Sequence, residues 1–273
     1  MKPTYESINA ICPIHKGSDR DRPKLIGTGT LLDFGKARFL VTAAHVLDEN
    51  TEHEETLYIS GGAGLVVLTG QSFSVRVPAL GTREDDRLDF AVVNLGDSLA
   101  DEVAKARYFL PFSLIDSDDR LTPQSHYLFS GFPANRERMY PGQKKLASKR
   151  YGYTGKSVSP QRMDELGVNP NTHIVVEFDR METLDENNES APFPTPQGMS
   201  GGAVWRGEGD HNLWLTETPV RLVGIGIEAP ETEKVMIAVK IHVVLAAISK
   251  AYLSISEFVP LRQGFTASVN IHD

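Results

Sequence analysis

One serine in the C-terminal half of the chain lies among glycines, in the stretch PTPQGMSGGAVW at residues 194–205. Such a stretch can bind phosphate, carry the nucleophile of a hydrolase, or form a flexible loop. A phosphate-binding loop needs Gly-Lys-Ser/Thr at the start of a helix. Here Gly202 is followed by Ala-Val-Trp, which contains no lysine and predicts a strand. The phosphate-binding alternative therefore fails, and the other two remain.

The same stretch matches the G-x-S-x-G pattern of esterases through Gly198, Ser200 and Gly202. In that class the serine lies between a strand and a helix, and its acidic and histidine partners follow it in the chain. Prolines interrupt the residues before Ser200, and the residues after it predict a strand. The esterase interpretation is therefore disfavoured, and partners for the serine are to be sought upstream.

Two residues upstream of Ser200 have side chains that could activate a serine, and both lie in otherwise apolar runs. His45 lies near the end of the apolar run FLVTAAHVL, and Asp89 opens the apolar run DFAVVNL. A carboxylate buried at the start of a strand is costly unless it is paired or hydrogen-bonded. A histidine would supply that partner. Asp85 and Asp86 are neighbouring acids, but the stretch REDDR predicts an exposed turn, so Asp89 is the better candidate.

These three side chain types can activate a serine for attack on a carbonyl group. A serine hydroxyl is a weak nucleophile unless a base removes its proton. His45 would take that proton and later donate it to the leaving group, while Asp89 would hold the imidazole in the required tautomer. Backbone N–H groups near Ser200 would bind the developing oxyanion. A flexible loop would require all three placements to be coincidental.

Most of the chain predicts short strands separated by turns. Too few helices lie between them for a doubly wound α/β sheet. The pattern predicts an all-β fold with two antiparallel barrels of about six strands each, residues 1–110 and 111–273, and a C-terminal helix. The predicted strands cover residues 25–32, 39–47, 56–60, 64–70, 72–80, 89–95, 126–133, 173–178, 201–205, 220–228 and 234–241, with helices at 98–109 and 242–255.

Three motifs in this order, GTGTLL…FLVTAAHVL, LDFAVV and GMSGGAV, resemble the trypsin-like, chymotrypsin-fold serine peptidases. The similarity is greatest to their bacterial, disulfide-free, HtrA-like branch, and too little chain follows the predicted helix for an appended PDZ domain. The resemblance implies a cofactor-independent serine endopeptidase with two six-stranded β-barrels. It implies the catalytic triad His45, Asp89 and Ser200, and an oxyanion hole at Gly198, Met199 and Ser200.

The same resemblance indicates where a substrate side chain would bind. Pro194 stands where trypsin has the aspartate that selects Lys or Arg, and Met236 stands where many relatives have glycine. The Met236 side chain would fill one wall of the pocket for the substrate side chain. This predicts a narrow pocket and cleavage after small or medium apolar residues. Glu228 would disfavour acidic neighbours. The predicted substrate-binding residues are Thr195, Ile227, Glu228, Ala229, Met236 and Ala238.

Composition limits the partners and the compartment. The formal net charge of -8 argues against nucleic acid, whose phosphates need a basic surface. The single cysteine, Cys12, excludes an intramolecular disulfide and favours a reducing compartment. No signal peptide and no membrane span is recognisable, which predicts a cytoplasmic protein. The run His-Glu-Glu at residues 53–55 lacks the second histidine of a zinc motif, so no metal is expected.

One stretch departs from this acidic composition. Residues 135–162 contain eight Lys or Arg residues and one acid, Glu137. This charge run is either a solvated loop or a docking surface for an acidic partner. It leaves open an alternative function, in which a catalytically silent or partner-activated protease-fold module binds a regulatory partner. The sequence does not predict an oligomeric state.

Met199 predicts that the protein needs no N-terminal cleavage. Digestive trypsin-like enzymes have aspartate at this position, and it pairs with a newly cut N-terminus to order the oxyanion hole. Methionine cannot form that ion pair. We expect the full-length chain, verified as intact by mass spectrometry, to react with a fluorophosphonate probe. A requirement for trimming within residues 1–25 would contradict this prediction.

Overall fold

The computed structural model describes residues 7–17, 23–77, 79–116, 126–140, 145–184, 189–206, 220–252 and 269–272. Most of the secondary structure in these residues is β. In chain order the strands are β1 (Ile11–Lys16), β2 (Lys24–Asp33), β3 (Arg38–Ala43), β4 (Leu57–Gly61), β5 (Gly64–Val67), β6 (Ser72–Val75), β7 (Phe90–Asn94), β8 (Leu110–Pro111), β9 (His126–Gly131), β10 (Arg138–Tyr140), β11 (Lys145–Ala147), β12 (Tyr151–Lys156), β13 (His173–Glu177), β14 (Ala203–Arg206), β15 (Arg221–Glu228), β16 (Val235–Lys240) and β17 (Val269–His272).

Short helices connect or follow these strands. The α-helices of the described residues are α1 (Ala44–Thr51), α2 (Gly96–Ala104), α3 (Pro160–Glu165) and α4 (Ile241–Ala251). The predicted C-terminal helix is therefore present as α4, while residues 253–255 of that prediction lie outside the described residues. None of the described helices combines the length and apolar character that crossing a membrane requires.

Two large sheets form the body of the fold. The first has nine strands in the described residues, in the order β17-β6-β7-β3-β2-β1-β4-β5, with β8 parallel to β2. The second has six strands, in the order β12-β9-β14-β15-β16-β13. Val158 N–H donates to the Val175 carbonyl at 3.0 Å beside a bridge between Ser157 and Val176, so β12 meets β13 and the second sheet curls into a barrel.

The predicted all-β fold with two barrels and a C-terminal helix is confirmed. The first sheet has three more strands than the six expected. Strand β1 pairs with β2, and β17 pairs with β6, with Val269 opposite Val75. The short strand β8 adds a further strand at β2, with Leu110 opposite Leu32. The expected division of the chain at residue 110 stays a prediction.

An apolar core runs between the two sheets and explains why several strands lack alternation. Phe39 and Val41 from β3 pack in one buried cluster with Leu128 from β9, Trp205 from β14 and Ile225 from β15. Strand β16 is buried along its whole length. Strands covered on both faces read as continuous apolar runs rather than alternating ones. Packing of the two sheets against each other places the end of β3 near β15.

The prediction that residues 39–47 form one strand is wrong at its C-terminal end. Strand β3 ends at Ala43, and the chain turns directly into α1, whose second residue is His45. The sequence offers no helix signal here, since the cap residue Ala43 makes no side-chain hydrogen bond. The helix start is instead completed by a residue of a distant strand, as described below.

Candidate active site

Asp89 holds the first turn of α1 with both its backbone and its side chain. Its carbonyl oxygen accepts the Ala44 N–H at 3.0 Å, and Oδ1 accepts the His45 N–H at 3.0 Å. Its Oδ2 lies 2.7 Å from His45 Nδ1. One carboxylate therefore caps the helix and orients the imidazole. With Nδ1 facing Asp89, the other ring nitrogen, Nε2, is directed away from the carboxylate.

The backbone of Asp89 adopts a φ of +34°, a value that L residues other than glycine seldom adopt. Such a conformation persists where the surrounding contacts over-determine it, and it is typical of functional sites. Here the contacts are the three hydrogen bonds to α1. The Asp89 side chain is 11% exposed, whereas that of His45 is 42% exposed, so the imidazole is open to a ligand while its partner is shielded.

The charges around His45 raise the pKa of its imidazole above the ordinary value. Partial burial lowers this pKa, but the hydrogen bond and charge of Asp89 raise it by more. The charge of Asp48, one turn along α1, raises it further, and that of Arg83 lowers it. A nearby carboxylate favours the protonated ring because it stabilises the imidazolium.

The serine turn of the second sheet is held by strand β2 of the first sheet. Thr28 N–H donates to the Ser200 carbonyl at 2.8 Å, and Thr28 Oγ1 donates to the Gly198 carbonyl at 2.8 Å. Thr30 Oγ1 donates to the Gly201 carbonyl at 2.9 Å. These bonds join residues about 170 positions apart and bring Ser200 to the end of the sheet that carries His45.

The orientation of two peptide groups leaves two N–H groups beside Ser200 that no described residue accepts. The Gln197 carbonyl accepts the Ala134 N–H at 2.8 Å, and the Met199 carbonyl accepts the Gly202 N–H at 2.9 Å. In a trans peptide the N–H points opposite to the C=O. The N–H groups of Gly198 and Ser200 therefore point away from these contacts, whereas the Met199 N–H donates to the Pro196 carbonyl at 2.8 Å.

Met199 occupies an apolar environment between these two N–H groups. It is 7% exposed and packs in a cluster with Phe129, Phe193 and Met236. Gly198 next to it has a φ of +91°, and a Cβ at this position would lie 2.6 Å from Leu25 Cδ2. Glycine is thus required at 198, and apolar packing holds the following side chain.

A cavity of about 480 Å³ has both His45 and Ser200 in its lining. No hydrogen bond joins the two side chains in the described structure. Thr195, Ile227, Glu228, Ala229 and Met236 of the predicted substrate-binding set also line it. Ala238 does not, because it is fully buried within the apolar cluster of the second barrel. Further lining residues that the sequence did not indicate are Phe129, Ser130, Pro196, Gln197, Gly226 and Glu231.

The charged side chains in this lining are acidic apart from His45. Glu228 and Glu231 line the cavity, and neither lysine nor arginine does so among the described residues. Burial raises the pKa of Glu228, Arg87 lowers it, and Asp89 raises it again. The sequence did not indicate that Glu231 lines the cavity. Its position there depends on the turn between β15 and β16 and not on a local sequence pattern.

A metal centre is not apparent in the part of the chain that the structure describes, where no group of His, Cys, Asp and Glu side chains is arranged to hold a metal ion. His15, for example, is fully buried and lies 2.7 Å from Glu137 through Nε2, with Ser148 donating to the same carboxylate at 2.8 Å. Cys12 is a free, buried thiol, and burial raises its pKa to about 12.

The architecture of the two barrels is that of the chymotrypsin-like proteins. Neuropsin, described as a serine protease expressed in the limbic system of mouse brain, matches with a TM-score of 0.54 and 14% sequence identity. The match covers 91% of this chain and 96% of that chain. No protein-family model and no curated protein matches the chain. The likeness supports the expected trypsin-like fold, and at this identity it shows the fold alone.

Replacing Gly201 by alanine should unfold the serine turn. Gly201 has a φ of +87°, and a Cβ there would overlap the Thr28 carbonyl oxygen and Thr42 Oγ1. Gly35 is a matched control, because its φ is +77° but a Cβ would meet nothing within 4 Å. We expect a loss of roughly 1–2 kcal/mol in the free energy of unfolding for Gly35→Ala. For Gly201→Ala we expect a loss above about 4 kcal/mol.

Unfolding by urea measures the free energy of unfolding of both variants and of the wild type. Equal losses for Gly201→Ala and Gly35→Ala would contradict the close approach of β2 to the serine turn.

Proposed function

We propose that the protein is a serine endopeptidase that cleaves peptide bonds through His45, Asp89 and Ser200. The observation that carries the proposal is one cavity lined by an imidazole paired with a buried carboxylate and by a serine beside two N–H groups that have no acceptor among the described residues. The chymotrypsin-like fold supports a peptidase. The closer kinship with the HtrA-like branch and the cytoplasmic location stay predictions that rest on the sequence.

The proposed reaction uses the side chains in defined roles. Nε2 of His45 removes the Ser200 hydroxyl proton as Oγ attacks the substrate carbonyl, and Asp89 stabilises the resulting imidazolium. The tetrahedral intermediate places its oxyanion at the N–H groups of Gly198 and Ser200. The imidazolium then gives its proton to the leaving amine, which leaves an ester on Ser200. Water, deprotonated by His45, hydrolyses that ester and regenerates the free serine.

A second candidate is a protease-fold module that is silent or that a partner activates. The missing hydrogen bond between the His45 and Ser200 side chains favours it, although such bonds are often long before substrate binds. The paired strands β10 and β11, which lie within the basic stretch 135–162, follow Ala134, which contacts Gln197 in the serine turn. An acidic partner bound at these strands would therefore lie close to the proposed oxyanion-binding N–H groups.

Fluorophosphonate labelling separates the two candidates. We expect the wild type to be labelled, and Ser200→Ala and His45→Ala to lose the label, because the probe reacts with an activated serine. The exposed Ser113→Ala and His53→Ala variants are matched controls and should label as the wild type does. An unlabelled wild type would favour the silent or partner-activated module.

The cavity lining predicts the substrate side chains. The apolar wall of Phe129, Ile227 and Met236 favours cleavage after small or medium apolar residues. The carboxylates of Glu228 and Glu231 disfavour acidic substrate neighbours, and more so as pH rises through the raised pKa of Glu228, because the ionised form then predominates. Both preferences would act at the same part of the cavity, because Ile227 and Glu228 are neighbours at the end of β15.

A peptide library tests this selectivity. We expect cleavage after Ala, Val or Leu and poor cleavage when Asp or Glu is adjacent. Glu228→Gln should relax the discrimination against acidic neighbours by about fivefold to tenfold, the size of a partly exposed charge interaction of about 1 kcal/mol. Glu52→Gln, an exposed acid at the end of α1, serves as the control. Efficient cleavage after Lys or Arg alone would refute the predicted pocket.

A further inference from the structure

Arg83, between β6 and β7, holds together two aspartates on different elements. Its Nε and Nη2 donate to the two carboxylate oxygens of Asp48 in α1, at 2.7 and 3.1 Å. Its Nη1 donates to Asp86 Oδ2 at 2.7 Å and to the carbonyl oxygen of Val75, the last residue of β6, at 2.9 Å. One guanidinium thus connects α1, the end of β6 and the segment that leads into β7.

Both aspartates lie close to the proposed catalytic pair. Asp48 follows His45 by one turn of α1, which places the two on neighbouring positions of the helix surface. Asp86 precedes Asp89 by three residues, and its Oδ1 accepts the Leu88 N–H at 3.1 Å. The sequence-based expectation that Asp86 lies in an exposed turn is wrong: Asp86 is 8% exposed, because Arg83 neutralises it in a buried position.

The three side chains are buried enough for their interaction to be strong. The side chains alone of Arg83, Asp48 and Asp86 are 17%, 11% and 5% exposed. Removing one partner of a buried ion pair leaves an uncompensated charge, and here the loss of Arg83 leaves two. The paired contact with Asp48 also fixes direction, because a guanidinium presents its donors in a rigid plane. A lysine keeps the charge but not this geometry.

We propose that Arg83 is a positioning residue for the His45–Asp89 pair, because it fixes the start of α1 against the segment that leads into β7. The inference rests on the proposed function. Asp89 needs surrounding contacts to hold its φ of +34°, and Arg83 supplies one through Asp86 and the Leu88 N–H. The same guanidinium also holds α1, the helix that carries His45, through its hydrogen bonds to Asp48.

The position of Arg83 also bears on the protonation of His45. Four charged groups face the imidazole: Asp89 at the start of β7, Asp48 on α1, Arg83 itself, and Glu228 at the end of β15. Arg83 lowers the pKa of His45 and Asp48 raises it. Loss of the cation alone therefore moves the His45 pKa upward, and loss of the Asp48 charge alone moves it downward. A general base must be neutral when it acts. The pH below which the reaction rate falls should therefore follow the shifts in the His45 pKa.

The test compares Arg83→Met with Arg38→Met. Arg38 also lies between two aspartates, Asp33 at 3.5 Å and Asp101 at 2.8 Å, but its side chain is 34% exposed. The NMR titration of the His45 ring signal, assigned by its loss in His45→Ala, should shift to higher pH in Arg83→Met and not in Arg38→Met. Fluorophosphonate labelling at a pH above both midpoints should slow roughly tenfold to a hundredfold in Arg83→Met, the effect of a small misplacement.

Two further variants separate charge from geometry. Arg83→Lys should keep the His45 midpoint near that of the wild type and still label more slowly, since only the planar contact is lost. Asp48→Asn should move the His45 midpoint to lower pH, and it should also slow labelling because it removes the paired contact between Arg83 and α1. Its labelling rate tests the proposal if Arg83→Met does not fold.

The proposal is overturned if Arg83→Met labels as fast as the wild type at a pH above both midpoints, or, where Arg83→Met does not fold, if Asp48→Asn labels as fast as the wild type. An unlabelled wild type would instead count against the proposed function. The NMR titrations need no activity, and an unchanged His45 midpoint in both variants would overturn the proposal in that case.

Discussion

The hydrogen bonds between β2 and the serine turn hold the candidate site together. His45 follows a strand of the first sheet and Ser200 precedes a strand of the second, so no spacing within one element can bring them to one cavity. Thr28 provides the contact by donating its N–H to the Ser200 carbonyl and its hydroxyl to the Gly198 carbonyl. Because the acceptors are main-chain oxygens, the turn is held by its backbone, and the Ser200 side chain stays available to the cavity.

The other half of the site depends on Asp89 in a comparable way. A single residue completes the hydrogen bonding at the start of α1, orients the imidazole and adopts a backbone conformation that needs support from its neighbours. Stability and chemistry are therefore coupled at this point. The Arg83 contacts extend the coupling, because the same guanidinium holds the helix that carries His45 and the segment that leads to Asp89.

The serine turn also shows how two neighbouring N–H groups can be oriented without an ion pair at residue 199. The carbonyl groups of Gln197 and Met199 are each held by a main-chain donor, and planarity of the peptide then directs the two N–H groups. Met199 contributes by packing among aromatic side chains rather than through charge. Apolar packing of this kind does not involve a free N-terminus, and the expectation that activity needs no N-terminal cleavage stays a prediction.

The sequence by itself determined which residues to consider and the class of fold. His45 and Asp89 attracted attention as polar residues at the edges of apolar runs, and Ser200 as a serine among glycines. Turn-separated apolar runs predicted an all-β fold with two barrels, because that periodicity is local. Strand β1 escaped prediction, since ICPIHK is almost wholly buried and does not alternate.

Only the tertiary structure decided how these residues meet. The start of α1 at Ala44, the burial of Asp86, the position of Glu231 in the cavity and the direction of the Gly198 N–H each depend on a contact with a residue distant in the chain or on a turn with no local signature. Asp89, just before β7, caps α1, and Ala134 fixes a peptide in the serine turn. Local patterns report which face of an element is apolar, whereas the partner of a polar group is set by the packing of the whole chain.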